Sequence, residues 1–162
     1  MSVPVAFTIA PWAASERLAD ILALVHAAFA GLEPPSGVLN ETVADIAARQ
    51  RGGIVIVAQS GNDFIGSIFC APQGDALYLT RLAVVPAWRK RGVARALLAA
   101  AENEARRTGA KRLTLRVRVT LPGNRAYFER SGFAVNGQGQ DPGRTPYFTM
   151  ERLLPVPAAG RG

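Results

Sequence analysis

Leu82-Ala83-Val84-Val85-Pro86-Ala87-Trp88-Arg89-Lys90-Arg91-Gly92-Val93-Ala94-Arg95 carries an apolar strand, through a short and strongly basic turn, into the start of a long helix. The first amides of a helix have no partners within it, point outward together and sit at the positive end of its dipole, so an anion fits there. Gly92 and the small Ala94 let a bulky diphosphate approach the backbone, while Arg89, Lys90, Arg91 and Arg95 neutralise its charge. The dipole contributes only about 0.3 to 1 kcal/mol, which leaves most of the binding to amide hydrogen bonds and basic side chains. Two other phosphate-binding patterns do not fit. A Walker-type loop needs Gly-Lys-Ser or Gly-Lys-Thr at the helix start, and a dinucleotide fold needs GxGxxG with an acidic residue ending the next strand, where this chain has Arg116 and Arg118.

The elements on either side of this turn read clearly from periodicity. Ala76 to Val85 reads as a longer strand closed by Pro86, and the helix from about Gly92 to Arg107 buries Ala94, Leu97, Leu98, Ala101 and Ala105. Leu113, Leu115, Val117 and Val119 then alternate with polar residues in the next strand. Upstream, Val3 to Ile9 reads as a first strand. Ser15 caps a helix with Leu18, Ile21, Leu22, Val25 and Phe29 on one face, and Asn40 caps a second helix through about Arg51. Ile54 to Ala58 and Phe64 to Cys70 form a hairpin around Gln59 to Asp63. Downstream, Pro122 opens a last helix to about Ser131 with Gly132 beyond it, and Phe133 to Val135 and Tyr147 to Leu153 are the final strands. The order predicts an α/β fold: a mixed sheet of about seven strands flanked by about four helices, in one domain over residues 1–154 with a flexible tail from 155 to 162.

Composition narrows the class. Of 162 residues, 49% are hydrophobic and 19% charged, which suits a packed domain. The apolar runs are too short or too broken to span a membrane, and the start of the chain lacks the features of a secretory signal, so the cytoplasm is expected, with no membrane partner. A single cysteine, Cys70, agrees with a reducing compartment and reads as core filling, and the lone His26 reads as structural. No metal-ligand cluster is visible. The net charge of +7 is concentrated: residues 81–118 carry +9 and the remainder −2. Without aromatic residues interleaved among the cations, this favours a small polyphosphate ligand over nucleic acid.

The turn and its surroundings resemble the GNAT superfamily of acyl-coenzyme A-dependent N-acetyltransferases, whose hallmark is Arg or Gln, two residues, Gly, one residue, then Gly or Ala. Arg89, Gly92 and Ala94 match it. Leu82-Ala83-Val84-Val85-Pro86 is similar to the family's cofactor strand, and Glu129-Arg130-Ser131-Gly132-Phe133 to its late helix-to-strand junction. The resemblance implies acetyl-CoA as co-substrate, with no metal, in a V-shaped opening between the strands at 76–85 and 112–119. The turn from Arg89 through Lys90, Arg91, Gly92, Val93 and Ala94 to Arg95 would hold its pyrophosphate. Backbone groups of Leu82, Ala83 and Val84 would bind the pantetheine arm, an amide there would polarise the thioester carbonyl, and a primary amine would attack directly.

The late helix departs from the family pattern. A tyrosine five residues before the Gly-Phe phenylalanine commonly protonates the departing thiolate, and here that position is Phe128. Leu121 stands where an asparagine is usual. Tyr127 is the candidate acid instead, although one residue turns a side chain by about 100° on a helix; Tyr147 is a second candidate. Asn124, Tyr127 and Phe128 are expected beside the cofactor. Glu33, in the proline-rich loop 32–39, is the candidate base, and Arg81, Arg116 and Arg118 are candidates to meet a carboxylate on the acceptor. The acceptor is expected to be a small-molecule amine or a protein N-terminus, and a homodimer through the late strands is expected. The missing tyrosine keeps a second reading open, a catalytically weak domain that binds acyl-CoA as a sensor.

Overall fold

The computed structural model describes residues 6–155. Positions 3–5 of the expected first strand and nearly all of the expected tail lie outside them. The chain contains β1 (Thr8–Pro11), α1 (Leu18–Phe29), α2 (Val43–Gly52), β2 (Ile54–Ser60), β3 (Asp63–Gln73), β4 (Ala76–Val84), α3 (Val93–Thr108), β5 (Arg112–Arg118), α4 (Pro122–Arg130), β6 (Ala134–Gly139) and β7 (Tyr147–Leu153). The strands follow the order β1-β2-β3-β4-β5-β7-β6 in one mixed sheet of seven, so the expected fold class holds. The described residues gather into two compact units, 6–71 with 79–103 and 72–78 with 104–155.

In the first unit β1 runs antiparallel to β2, from Thr8 opposite Gln59 to Pro11 opposite Ile56. The strand runs two residues past the expected Ile9 and ends on Pro11 at the sheet edge, where a missing amide is tolerated. The expected hairpin forms, with Ile54 opposite Cys70 and Ser60 opposite Asp63. Leu18, Ile21 and Val25 of α1 pack with Val38, Ile46, Val55, Val57 and Phe69, and Trp12 and Phe64 close the rim. Leu24 is buried on α1, whereas Leu22 and Phe29 are half-buried.

Both expected helix caps are displaced. The residue before α1 is Arg17, in a left-handed conformation at φ 61°. Its guanidinium donates to Asp20 at 3.0 Å and to the carbonyl of Asn62 at 2.6 Å, and lies 4.0 Å from the centre of the Phe64 ring. This tether to the hairpin sets the helix start in place of a Ser15 cap. Asn40 ends a 3-10 turn at Gly37–Asn40, and α2 is capped by Thr42. The Thr42 amide donates to Asp45 Oδ2 at 2.8 Å, and its hydroxyl to the same oxygen at 3.1 Å. The amide bond holds the Asp45 carboxyl below its usual range, assisted by the hydroxyl.

In the second unit β4 begins in parallel with β5 over three residue pairs, Ala76 with Arg112 to Tyr78 with Thr114. β5 pairs antiparallel with β7 along its full length, from Arg112 opposite Leu153 to Arg118 opposite Tyr147. Leu113, Leu115, Val117, Phe133 and Met150 form the buried side. β6 runs on to Gly139 where Val135 was expected to end it, because the β7 ladder continues past a bulge between Val135 and Gly137. A Cβ at Gly139 would lie 2.6 Å from the Tyr147 hydroxyl, so these glycines admit β7 side chains and do not mark a loop.

Candidate active site

At the end of β4 the Val85 amide donates to Ile65 at 2.9 Å, and Pro86 opens a 3-10 turn. Lys90 at φ 61° and Gly92 at φ 83° are both left-handed, and between them the chain reverses into α3. A Cβ on Gly92 would meet nothing within 4 Å, so glycine is needed here for its backbone angle and leaves open space above the turn. Val93 is 1% exposed and anchors the helix start in the core. The amides of Val93, Ala94 and Arg95 find no acceptor among the described residues, and no acidic side chain occupies the first turn. Arg89, Lys90, Arg91 and Arg95 are exposed around these donors. The Arg91 guanidinium lies 5.2 Å from the centre of the Trp88 ring, itself edge-on to Phe7 at 6.1 Å. An anion with two phosphates fits this donor set.

Along β4, Leu82 and Val84 are half-buried and Ala83 is buried. Just before them Arg81 is left-handed, at φ 55°. Its guanidinium donates through Nε and Nη2 to Oε1 of Glu41, with the Nε bond at 3.1 Å, and Arg49 Nη2 lies 3.8 Å from the same oxygen. Glu41 Oε2 is buried and has no hydrogen-bond partner among the described residues. Arg81 is thus committed within the protein, and its expected role toward an acceptor carboxylate is not supported. Glu33 is exposed, whereas Glu41, passed over in the sequence, is the carboxylate brought to β4. Its signal was the capping box at Thr42 and Asp45, which puts Glu41 ahead of the helix and free to turn inward.

The other predicted residues stand in the second unit. Tyr127 and Phe128 are half-buried on α4, their rings edge-on at 5.3 Å, and Phe128 meets Phe133 in the same way at 5.6 Å. Asn124 is exposed. The Tyr127 hydroxyl has no hydrogen-bond partner among the described residues. The Arg116 guanidinium lies 4.3 Å from the centre of the Tyr147 ring and 3.8 Å from Asp141.

Residues 18–133, more than half of the chain, match the model of the Acetyltransferase (GNAT) family. The chain belongs to that family. It is therefore an acyltransferase, and the basic turn at 89–95 falls inside the matched stretch. Solved GNAT structures share its fold. The ribosomal-protein-S18-alanine N-acetyltransferase of Escherichia coli is 19% identical with a TM-score of 0.78, covering 95% of this chain and 97% of its own. Ard1 of Thermoplasma volcanium is 20% identical at a TM-score of 0.77, over 94% and 100%. The PaiA N-acetyltransferase of Thermoplasma acidophilum, solved with coenzyme A, is 17% identical at 0.77, over 92% and 99%. No curated protein matches the chain. Among the described residues there is no group of three His, Cys, Asp or Glu side chains suited to a metal, and no helix long and apolar enough to cross a membrane.

Proposed function

We propose that this GNAT domain transfers an acetyl group from acetyl-CoA to a primary amine by direct attack in a ternary complex. The observation that carries the donor is the helix start at Val93–Arg95, whose amides lack acceptors within a ring of four exposed cations. Arg89, Lys90, Arg91 and Arg95 neutralise the pyrophosphate, and backbone groups of Leu82, Ala83 and Val84 receive the pantetheine arm. An amide of that edge polarises the thioester carbonyl as the amine, having given one proton to water, forms the new C–N bond and then releases a second N–H proton to water. The C–S bond breaks and the thiolate takes a proton from Tyr127, whose hydroxyl is uncommitted among the described residues. The acceptor is a small-molecule amine or a protein N-terminus. The protein class is kept because one structural relative is named for the alanine of a ribosomal protein.

Coenzyme A release measured across small amines and peptide N-termini tests this reading. With chemistry limiting, Tyr127→Phe is expected to lower kcat at least tenfold, toward the range of about 100-fold and above that a positioned acid contributes. A full rate removes Tyr127 from the reaction. Tight coenzyme A binding without turnover on any amine favours the sensor reading, to which Phe128 at the usual tyrosine position also points.

A further inference from the structure

We propose that Glu41 is a positioning residue, which acts through Arg81 to hold a left-handed kink in β4 immediately before the Leu82–Val84 edge. This rests on the reading of that edge as the donor-binding strand.

Two features that do not favour folding meet at this point, beside one hydrogen bond that fixes them. Arg81, a residue with a Cβ and a long side chain, is held at φ 55° in the middle of a strand, where extended backbone is the stable choice. Glu41 has its side chain 12% exposed, with one carboxylate oxygen paired and the other buried without a partner among the described residues. Ser67, fully buried, donates its hydroxyl to the carbonyl of Arg81 at 3.0 Å. A buried ion pair with an orphaned oxygen is a poor source of stability. It is a good clamp, because the Arg81 fork is gripped by Glu41 at one end and the Arg81 carbonyl by Ser67 at the other.

One left-handed residue in a strand turns the peptides after it away from the direction of those before it. The peptides that follow are those of Leu82, Ala83 and Val84, and just past them the Val85 amide donates to the Ile65 carbonyl of β3. Backbone strain of this kind persists only where the surroundings over-determine it. Glu41 and Ser67 supply that constraint from two separate elements, the loop before α2 and strand β3. The side chain at position 81 is then needed only as a handle for its own backbone.

Two double variants isolate the backbone effect. Glu41→Ala/Arg81→Gly and Glu41→Ala/Arg81→Ala both lack the ion pair and the orphaned oxygen, and differ in whether residue 81 accepts a positive φ. The glycine variant is expected to keep kcat within about threefold of wild type. The alanine variant should fall at least tenfold below it, with KM for the amine little changed. Coenzyme A affinity by calorimetry should follow the same order, and thermal melts confirm that each variant is folded. Single Glu41→Gln adds a folded case if the doubles are unstable, since its amide oxygen still accepts from Arg81; it is expected to lose less than Glu41→Ala. Equal kcat and equal coenzyme A affinity for the two doubles overturn the proposal. So does Glu41→Gln losing as much as Glu41→Ala, since the carboxylate would then act directly. If wild type binds coenzyme A but turns over no amine, the proposed activity fails, and the calorimetric order alone decides on the kink. If wild type binds no coenzyme A, both readings fall.

Discussion

Gly66→Ala probes how tightly the donor strand is set against the helix that starts the site. A Cβ built on Gly66 would lie 3.0 Å from the Ala83 carbonyl oxygen, 3.0 Å from Leu97 Cδ1 and 3.0 Å from Val93 Cγ1. Side-chain carbons rarely sit this close to their neighbours, so each neighbour has to retreat by a few tenths of an ångström. The two side-chain tips belong to buried residues of α3, and the carbonyl belongs to β4, so none retreats freely. Overpacking of this kind costs about 1 to 3 kcal/mol, offset by about 0.4 to 1 kcal/mol from the reduced freedom of the unfolded chain. Taking the middle of each range, a net loss of about 1.3 kcal/mol lowers Tm by about 3 to 5 °C for a chain of this size. Because Ala83 and Val93 both belong to the proposed donor site, coenzyme A affinity should also drop several-fold. Scanning calorimetry with and without coenzyme A reads both effects. A Tm equal to or above that of wild type would refute the claim that β3 approaches β4 and α3 this closely.

Two further changes address the turn and the charged network. Gly92→Ala places a side chain at φ 83° in the open space above the turn, so it should cost about 1 to 2 kcal/mol of stability and, by straining the turn, weaken coenzyme A binding at least tenfold by calorimetry; unchanged affinity removes the turn from the donor site. The Asp75 carboxyl is held below its usual range by the Arg112 guanidinium at 3.0 Å, so its folded pKa is lower than its unfolded one. The stability it contributes is therefore fully present above the ordinary carboxylate range and is lost as pH falls through the lowered folded value. Asp75→Asn should flatten that acid dependence in denaturant melts, and an unaltered pH slope would show that the pair does not couple to folding.

Periodicity exposed the elements of this fold because most of them bury one clean face. Leu97, Ala101 and Ala105 on α3, and Leu113, Leu115 and Val117 on β5, repeat at helical and strand spacing and are all buried. Where a long-range partner decides the local structure, the sequence misled. Arg17 replaces Ser15 at the start of α1 because its guanidinium reaches Asn62 and Phe64 across the hairpin. The Asn136–Gly139 end of β6 looks like a loop until β7 supplies its ladder. The same holds in the site. The proposed donor turn is contiguous, with its glycine, cations and helix start all within 89–95, so a sequence pattern alone can point to it. The kink at Arg81 depends on Glu41, forty residues upstream in the chain, and on Ser67, fourteen residues upstream. No spacing rule links these three.

The structure also divides the basic stretch into charges with internal work and charges without it. Arg112 bridges Asp75 and Glu151, each at 3.0 Å. Arg107 pairs with Glu104, Arg81 with Glu41, and Arg116 with Asp141 beside the Tyr147 ring. Arg89, Lys90, Arg91 and Arg95 have no acidic partner among the described residues. These four cluster within seven residues, against amides that also lack acceptors. A surface patch meant only for solubility has no reason to combine exposed cations with a left-handed turn and an acid-free helix start. Opposite charge delivered to this point by a ligand satisfies all three features, and a diphosphate satisfies them with the fewest atoms.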